Sequence, residues 1–239
     1  MTQVALVFLH SPLVGPVTWR SVAAHLAGAG FDVVAPDLTI AVTGARSHHQ
    51  AVAETVAASL TCLDADASVV LVGHSGAGPL LPRIARTVSH QVSALLYVDS
   101  LLPYPGESWI ANAPQPLVDH LRSLVSNGEL PPWHEWFPPE GLAEVLPDPQ
   151  LRAEFIQELP RLPFTYFTEP TSLDDWQGRA GYLLLSEGYQ QDAQAARQAG
   201  MPVIEQLDHH LAMLTTPATV SGSLELLIRT TIPTSSGTR

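Results

Sequence analysis

Residues 68–78 read SVVLVGHSGAG, an apolar run rich in valine that stops at Gly73 and gives way, from Gly78, to the helix-compatible GPLLPRIARTV. A short continuous apolar run of this kind marks a buried strand. A serine held between a strand end and a helix start, with small residues on both sides, has the layout of a strained nucleophile elbow. Small neighbours are required there because the turn brings backbone segments close, and a bulky side chain would block approach to Ser75 Oγ. The helix expected just after Ser75 directs its free amides toward the serine, and Gly76 would donate one to an anion developing nearby. The competing reading makes Ser75 a helix N-cap in an inert sheet. Pro79 and Pro82 are tolerable near a first helical turn and costly deeper.

The alternation extends in both directions. Upstream, residues 4–9 (VALVFL) form a buried strand ending at His10 and Ser11, and a loop leads into the alanine- and leucine-rich helix RSVAAHLAGAG, stopped by Gly28 or Gly30. FDVVAPDL (31–38) resumes strand chemistry, and residues 47–63 form a helix, at whose start His48 and His49 are expected to face solvent. Downstream, SALLYV (93–98) is a strand closed by Asp99, followed later by the strands YLLLS (182–186) and PVIEQL (202–207). DAQAARQA (192–199) lies between those two as a helix, and TPATVSGSLELLIR makes the last one. Strands separated by helices favour an α/β fold with a mostly parallel sheet, here of six strands.

The texture changes from about 103 to 178. Trp109, Trp133 and Trp136, with Trp176 at the edge, are interleaved with paired prolines and short helix candidates. Such a stretch reads as an inserted helical cap over an apolar cleft, and the plainer alternative is a packing layer with no substrate role. Residues 1–229 then make one domain carrying the cap, with 230–239 as a flexible tail.

Composition restricts the chemistry. The chain has 239 residues, enough for one substantial core and few for two full domains. All 11 basic residues are arginine, and they face 23 acidic ones. Without lysine there is no phosphate loop ending in Gly-Lys-Ser/Thr, no lysine Schiff base and no lysine nucleophile. A formal charge of −12 argues against a nucleic-acid backbone as partner and favours a neutral or weakly charged ligand. The single Cys62 makes no internal disulfide. The opening MTQVALVFLHSP has no basic n-region, and no apolar run approaches the roughly 18 residues of a membrane span. A soluble cytoplasmic protein is therefore expected, without a nucleic-acid or membrane partner, as a monomer or homodimer acting on a small molecule.

Taken together, His10 followed nine residues later by Trp19, the Ser75 elbow, the cap, and His210 with Leu214 and Pro217 behind it carry a resemblance over nearly the whole chain. The sequence resembles the α/β-hydrolase superfamily, and most closely its small cap-bearing members related to plant methylesterases and hydroxynitrile lyases. The resemblance implies an α/β-hydrolase fold, Ser75 as nucleophile, Gly76 as an oxyanion-hole donor and His210 as general base. The spacing to Pro217 matches the family's histidine for His210, which leaves His209 in a supporting or surface position. Two adjacent imidazoles without a cysteine or carboxylate cluster are weak as metal ligands, so no metal or other cofactor is expected.

The third member of the triad is open. The family's acid most often follows the penultimate strand, where Glu187 comes one residue after Ser186 and Asp192 six after it. Asp99, at the tip of the neighbouring strand, is the remaining candidate. The first loop also departs from the family's His-Gly-X pattern, reading His10-Ser11-Pro12-Leu13. Proline has no N–H, so the usual amide is lost if Pro12 takes the X position. Three outcomes follow: Leu13 supplies the amide through a shifted loop, Ser11 Oγ substitutes, or the protein has left ordinary ester hydrolysis. A Leu13 amide directed at Ser75 is the expected one.

The resulting expectation is hydrolysis or acyl transfer on a small, fairly apolar ester, thioester or lactone through an acyl-enzyme on Ser75. Pro12, His74, Trp109, Trp133, Trp136 and Phe137 are expected to line the pocket. The alternatives are a lyase, cyclase or isomerase using the same serine and histidine, and a catalytically silent binding protein.

Overall fold

The computed structural model describes residues 4–42 and 47–232. In chain order the first half runs β1 (Val4–Leu9), α1 (Val17–Gly28), β2 (Asp32–Val34), α2 (Thr39–Val42), α3 (His48–Ser59), β3 (Ser68–His74), α4 (Leu81–Thr87) and β4 (Gln91–Val98). The inserted segment follows with α5 (Trp109–Asn112), α6 (Gln115–Leu124), β5 (Glu129–Leu130), α7 (Pro139–Val145), α8 (Pro149–Gln157), β6 (Leu162–Pro163) and α9 (Thr165–Thr168). The chain closes with β7 (Arg179–Leu184), α10 (Gln190–Gln198), β8 (Val203–Glu205), α11 (Ala212–Thr215) and α12 (Pro217–Thr231).

Six strands form one sheet in the order β2-β1-β3-β4-β7-β8, and every pairing in it is parallel. This is the six-stranded α/β sheet expected from the sequence. Successive side chains of a strand point to opposite faces, and the two faces build separate cores. Val7, Leu71 and Leu95 pack with Val52 and Val56 of α3 and Ile84 of α4 on one side. Phe8, Val72 and Leu96 pack with Trp19 and Leu26 of α1 and Leu224 of α12 on the other. The edge strands β2 and β8 are three residues each, shorter than the runs 31–38 and 202–207, because each has a hydrogen-bonding neighbour on one side alone.

Register places the reactive end of the sheet. His74 lies opposite Val98, and Val98 opposite Leu183. The residues that follow the first two, Ser75 and Asp99, therefore leave the sheet side by side at the carboxyl ends of β3 and β4.

The inserted segment covers this end and is tied down by charge as well as by packing. Glu158 accepts from the Val17 amide at 2.6 Å, and Arg20 donates to Glu154 at 2.5 Å. Glu169 accepts from Ser47 Oγ and from the His48 amide, both at 2.7 Å, so a side chain from beyond α9 satisfies the free end of α3.

Three expectations are corrected. The segment after Ser75 is a 3₁₀ turn over Ser75–Leu80, with the α-helix starting only at Leu81, because Pro79 and Pro82 remove amides that an α-helical ladder would use. His48 and His49 are buried at 4% and 6% exposure, since α9 packs over them: His48 Nε2 meets Thr165 Oγ1 at 2.9 Å and His49 stands edge-on to Tyr166. Helix α12 continues through Thr231, so the segment expected as tail from 230 begins inside a helix, and residues 233–239 lie outside the described residues.

Candidate active site

Ser75 follows β3 with φ of +54°, a left-handed conformation that costs a non-glycine residue energy and persists only where the surroundings hold it. Glycines on either side of Ala77 admit the packing that does so. A side chain at Gly76 would come within 2.9 Å of Ser11 Oγ, and one at Gly78 within 1.7 Å of Ser100 Oγ and 2.5 Å of the Leu101 carbonyl.

His210 Nε2 lies 3.1 Å from Ser75 Oγ, and His210 Nδ1 lies 2.7 Å from Asp99 Oδ2. Asp99 is fully buried, and its carboxylate is saturated with donors: Oδ1 accepts from the Leu185 and Ser186 amides, each at 2.8 Å, and Oδ2 accepts from Ser186 Oγ at 2.6 Å as well as from His210. Burial alone would raise this carboxyl; the hydrogen bonds from His210, Ser186 and Leu185 and the His210 charge outweigh it and hold the group below its ordinary value. With Asp99 ionised, the proton sits on His210 Nδ1 and Nε2 is left to accept from the serine. Tyr182 clamps the next residue, its hydroxyl donating to the Ser100 carbonyl at 2.7 Å and accepting from the Ser100 amide at 3.1 Å.

The other acids go elsewhere. Glu187 is exposed at the start of the 3₁₀ turn Glu187–Tyr189. Its neighbour Ser186 already turns toward Asp99, and adjacent side chains of extended backbone face apart. Asp192 Oδ1 accepts from the Leu102 amide at 3.1 Å and anchors the start of the insertion.

Two further histidines hold the frame. His74 is buried and donates from Nε2 to the His210 carbonyl at 3.0 Å; burial first, and the His210 charge second, hold its imidazole well below the ordinary value, so it stays neutral. His10 donates from Nδ1 to the Ser11 carbonyl at 2.8 Å and accepts the Leu38 amide on Nε2 at 3.0 Å, which pins the first loop. His209 turns away, to Thr215 Oγ1 at 2.8 Å.

The loop after β1 differs from expectation. The Leu13 amide donates to Ser11 Oγ at 3.3 Å and so is engaged within its own loop rather than presented to Ser75. Ser11 is 1% exposed and its hydroxyl oxygen lies beside Gly76, while Pro12 Cδ is 3.9 Å from a Gly76 side-chain position. A hydroxyl thus stands beside Gly76, next to a proline whose nitrogen carries no hydrogen.

Among the tryptophans the structure separates lining from packing. Trp133 and Phe137 border an apolar cavity of about 220 Å³ together with Leu142, Val145, His210 and Leu211. Trp133, His210 and Leu211 also border a space of about 10 Å³ at Ser75 itself, shared with Ser11, Leu13 and His74. Trp109 and Trp136 pack edge-on against Phe167, which is buried in the same core as Val7, Leu71 and Leu95 of the sheet, and border neither space. Pro12, within the first loop, is buried and borders neither space. A larger cleft of about 640 Å³ between Tyr97, Trp176 and Met201 contains none of Ser75, Asp99 and His210.

One residue escaped the sequence reading. Tyr189 stacks on the His210 imidazole, with ring centroids 5.0 Å apart and planes 13° apart, and its hydroxyl lies 3.3 Å from Ser75 Oγ. It belongs to SEGYQQD, the same segment after the penultimate strand that holds Glu187 and Asp192. Among the described residues no group of three or more His, Cys, Asp or Glu could hold a metal ion, and no helix is long and apolar enough to cross a membrane.

The chain resembles solved structures along nearly all its length. An extracellular alpha/beta-hydrolase from a Paenibacillus species aligns with a TM-score of 0.77 at 18% identity, covering 97% of this chain and 100% of that one. A pyrethroid hydrolase from Sphingobium faniae aligns at 0.69 and 20% identity over 93% and 96%, and a methylesterase from Arabidopsis at 0.68 and 18% over 95% and 99%. These likenesses establish the fold. In sequence, a carbendazim hydrolyzing esterase from Nocardioides is 32% identical over 128 residues, which span about half of each protein: 51% of this chain and 52% of that relative. The sequence profile of the alpha/beta hydrolase family matches residues 6–222, and the chain belongs to that family.

Proposed function

We propose that the protein is a serine-dependent esterase acting on small, fairly apolar esters, thioesters or lactones through an acyl-enzyme on Ser75. The observation that carries this reading is the continuous relay from Ser75 Oγ through His210 to the buried Asp99, at 3.1 and 2.7 Å, opening on an apolar cavity. The 32% identity to a carbendazim hydrolyzing esterase over half the chain supports it.

Ser75 Oγ attacks the carbonyl carbon as its proton passes to His210 Nε2, and Asp99 balances the imidazolium through Nδ1–H without taking the proton. Negative charge then develops on the carbonyl oxygen. The Gly76 amide and the Ser11 hydroxyl are its donors in this reading, the hydroxyl being polarised by the Leu13 amide it accepts. Collapse expels the alcohol, which takes the proton from Nε2; water, deprotonated by His210, attacks the acyl carbon and returns free Ser75. The space at Ser75 is small and the apolar cavity beyond Trp133 larger, which favours a short acyl group at the nucleophile and the bulky apolar part of the ester between Trp133 and Phe137.

The test is covalent labelling with a fluorophosphonate, followed by turnover of a panel of short-acyl esters. An adduct on Ser75 that is lost in His210→Ala supports the reading, and folded protein with no adduct overturns it. The absence of a loop amide at Pro12 favours a second reading, lyase or isomerase chemistry on the same pair; a labelled protein that turns over no ester in the panel would select it.

A further inference from the structure

The geometry around Tyr189 extends the esterase reading, on which the following inference rests. Tyr189 ends the 3₁₀ turn that follows β7. Its ring lies nearly parallel to the His210 imidazole, and its hydroxyl has one hydrogen-bond partner among the described residues, Ser75 Oγ at 3.3 Å. Burial raises the phenol to about 12, so near neutral pH it is protonated and able to donate. Ser75 Oγ has one hydrogen, directed at His210 Nε2, and lone pairs to accept with. In the resting protein Tyr189 therefore donates to the nucleophile.

The position of this hydroxyl has a consequence for bond breaking. For His210 Nε2 to protonate the leaving group, the leaving oxygen must come within hydrogen-bond reach of that nitrogen. A phenol stacked on the same imidazole, with its oxygen at the same edge, reaches the same place. We infer that Tyr189 is a further catalytic residue: its hydroxyl donates to Ser75 Oγ at rest and shifts to the leaving-group oxygen as the acyl–oxygen bond breaks. The electron pair of that bond goes to the leaving oxygen, which takes the proton carried by His210 Nε2. Tyr189 keeps its own proton and supplies a hydrogen bond alone.

The measurement is the leaving-group dependence of Tyr189→Phe, which removes the hydroxyl and retains the stacked ring. Two esters sharing one acyl group are compared, an alkyl ester whose alkoxide leaves poorly and a p-nitrophenyl ester whose phenolate leaves well. A hydrogen bond to a developing charge is worth a factor of about 10 to 100, so kcat on the alkyl ester falls by that much. On the p-nitrophenyl ester it changes by less than about threefold, with KM nearly constant on both. Thermal unfolding of the variant close to that of wild type accompanies this result. An equal loss on the two esters, or no loss on either, overturns the role. Wild-type protein that hydrolyses neither ester would overturn the esterase reading itself, and with it this inference.

Discussion

Asp99 and His210 stand 111 residues apart in the chain and meet at 2.7 Å. The acid leaves the sheet at the tip of β4, the strand between the one that carries Ser75 and the one whose end supplies the Leu185 and Ser186 amides. Replacing Asp99 by Asn leaves the shape intact but allows the amide to favour the wrong imidazole tautomer, and kcat is expected to fall by about 10³- to 10⁴-fold, by analogy with serine-protease triads. Glu187→Gln is expected to stay within about twofold, a surface change having little effect. Steady-state kinetics on one ester, with both variants side by side, decides between the two acids; a large loss in Glu187→Gln would refute this assignment.

Ser11 takes the place of a missing backbone donor in the proposed oxyanion site. Ser11→Ala is expected to lower kcat by about 10²-fold, near the lower end of losses seen for an oxyanion donor, with KM little changed. Ser11→Thr retains a hydroxyl and is expected to recover most of the rate. Equal loss in both variants would show that the loop's packing, rather than the hydroxyl, was disturbed.

Acid should destabilise the fold earlier than carboxylates alone would. Burial, the larger cause in each, holds the imidazoles of His10 and His74 below their ordinary value of 6.5. The unfolded chain then binds more protons than the folded one as pH falls through that value. Stability from these groups is complete above it and declines below it. The urea midpoint at about pH 8 should exceed that at about pH 5.5, and His74→Gln should show a shallower difference between the two. The same difference in variant and wild type would exclude His74 as a source.

Trp133 and Trp136 are three positions apart and predict opposite phenotypes. Trp136 is 4% exposed and donates from its indole to the Pro131 carbonyl at 2.8 Å, so Trp136→Ala should cost about 3–5 kcal/mol of stability. Trp133 borders the cavity beside His210, so Trp133→Ala should raise KM for esters with a bulky apolar part and cost less in stability. Denaturant unfolding and KM across an ester size series measure the two effects separately; a dominant KM effect at Trp136 would reverse the assignment.

The strands, the order of strand and helix, the elbow at Ser75 and the choice of His210 over His209 were legible because each depends on neighbours close in the chain or on one fixed spacing. Apolar run length marks a buried strand, small residues mark a tight turn, and the spacing to Pro217, which opens the last helix, matches the histidine of the family that the sequence resembles. Where an interaction joins distant segments, local reading failed. Buried His48 and His49 follow from Thr165, Tyr166 and Glu169 folding over the start of α3, which nothing in residues 47–63 announces. The Leu13 amide, expected to point at Ser75, donates to Ser11 two residues before it, a local contact whose occurrence depends on how the loop seats against Gly76.

By itself the sequence determined the class of fold, the serine and the histidine that meet at the end of the sheet, and the chemistry excluded by a chain without lysine. Tertiary structure alone decided which carboxylate reaches His210, the tyrosine that stacks on it and which tryptophans face the cavity. The physical reason is sheet order. Pairing β4 between β3 and β7 brings Asp99 beside Ser75 and under the amides of Leu185 and Ser186, and a distance between strand ends is set by which strands are neighbours, not by how far apart they lie along the chain.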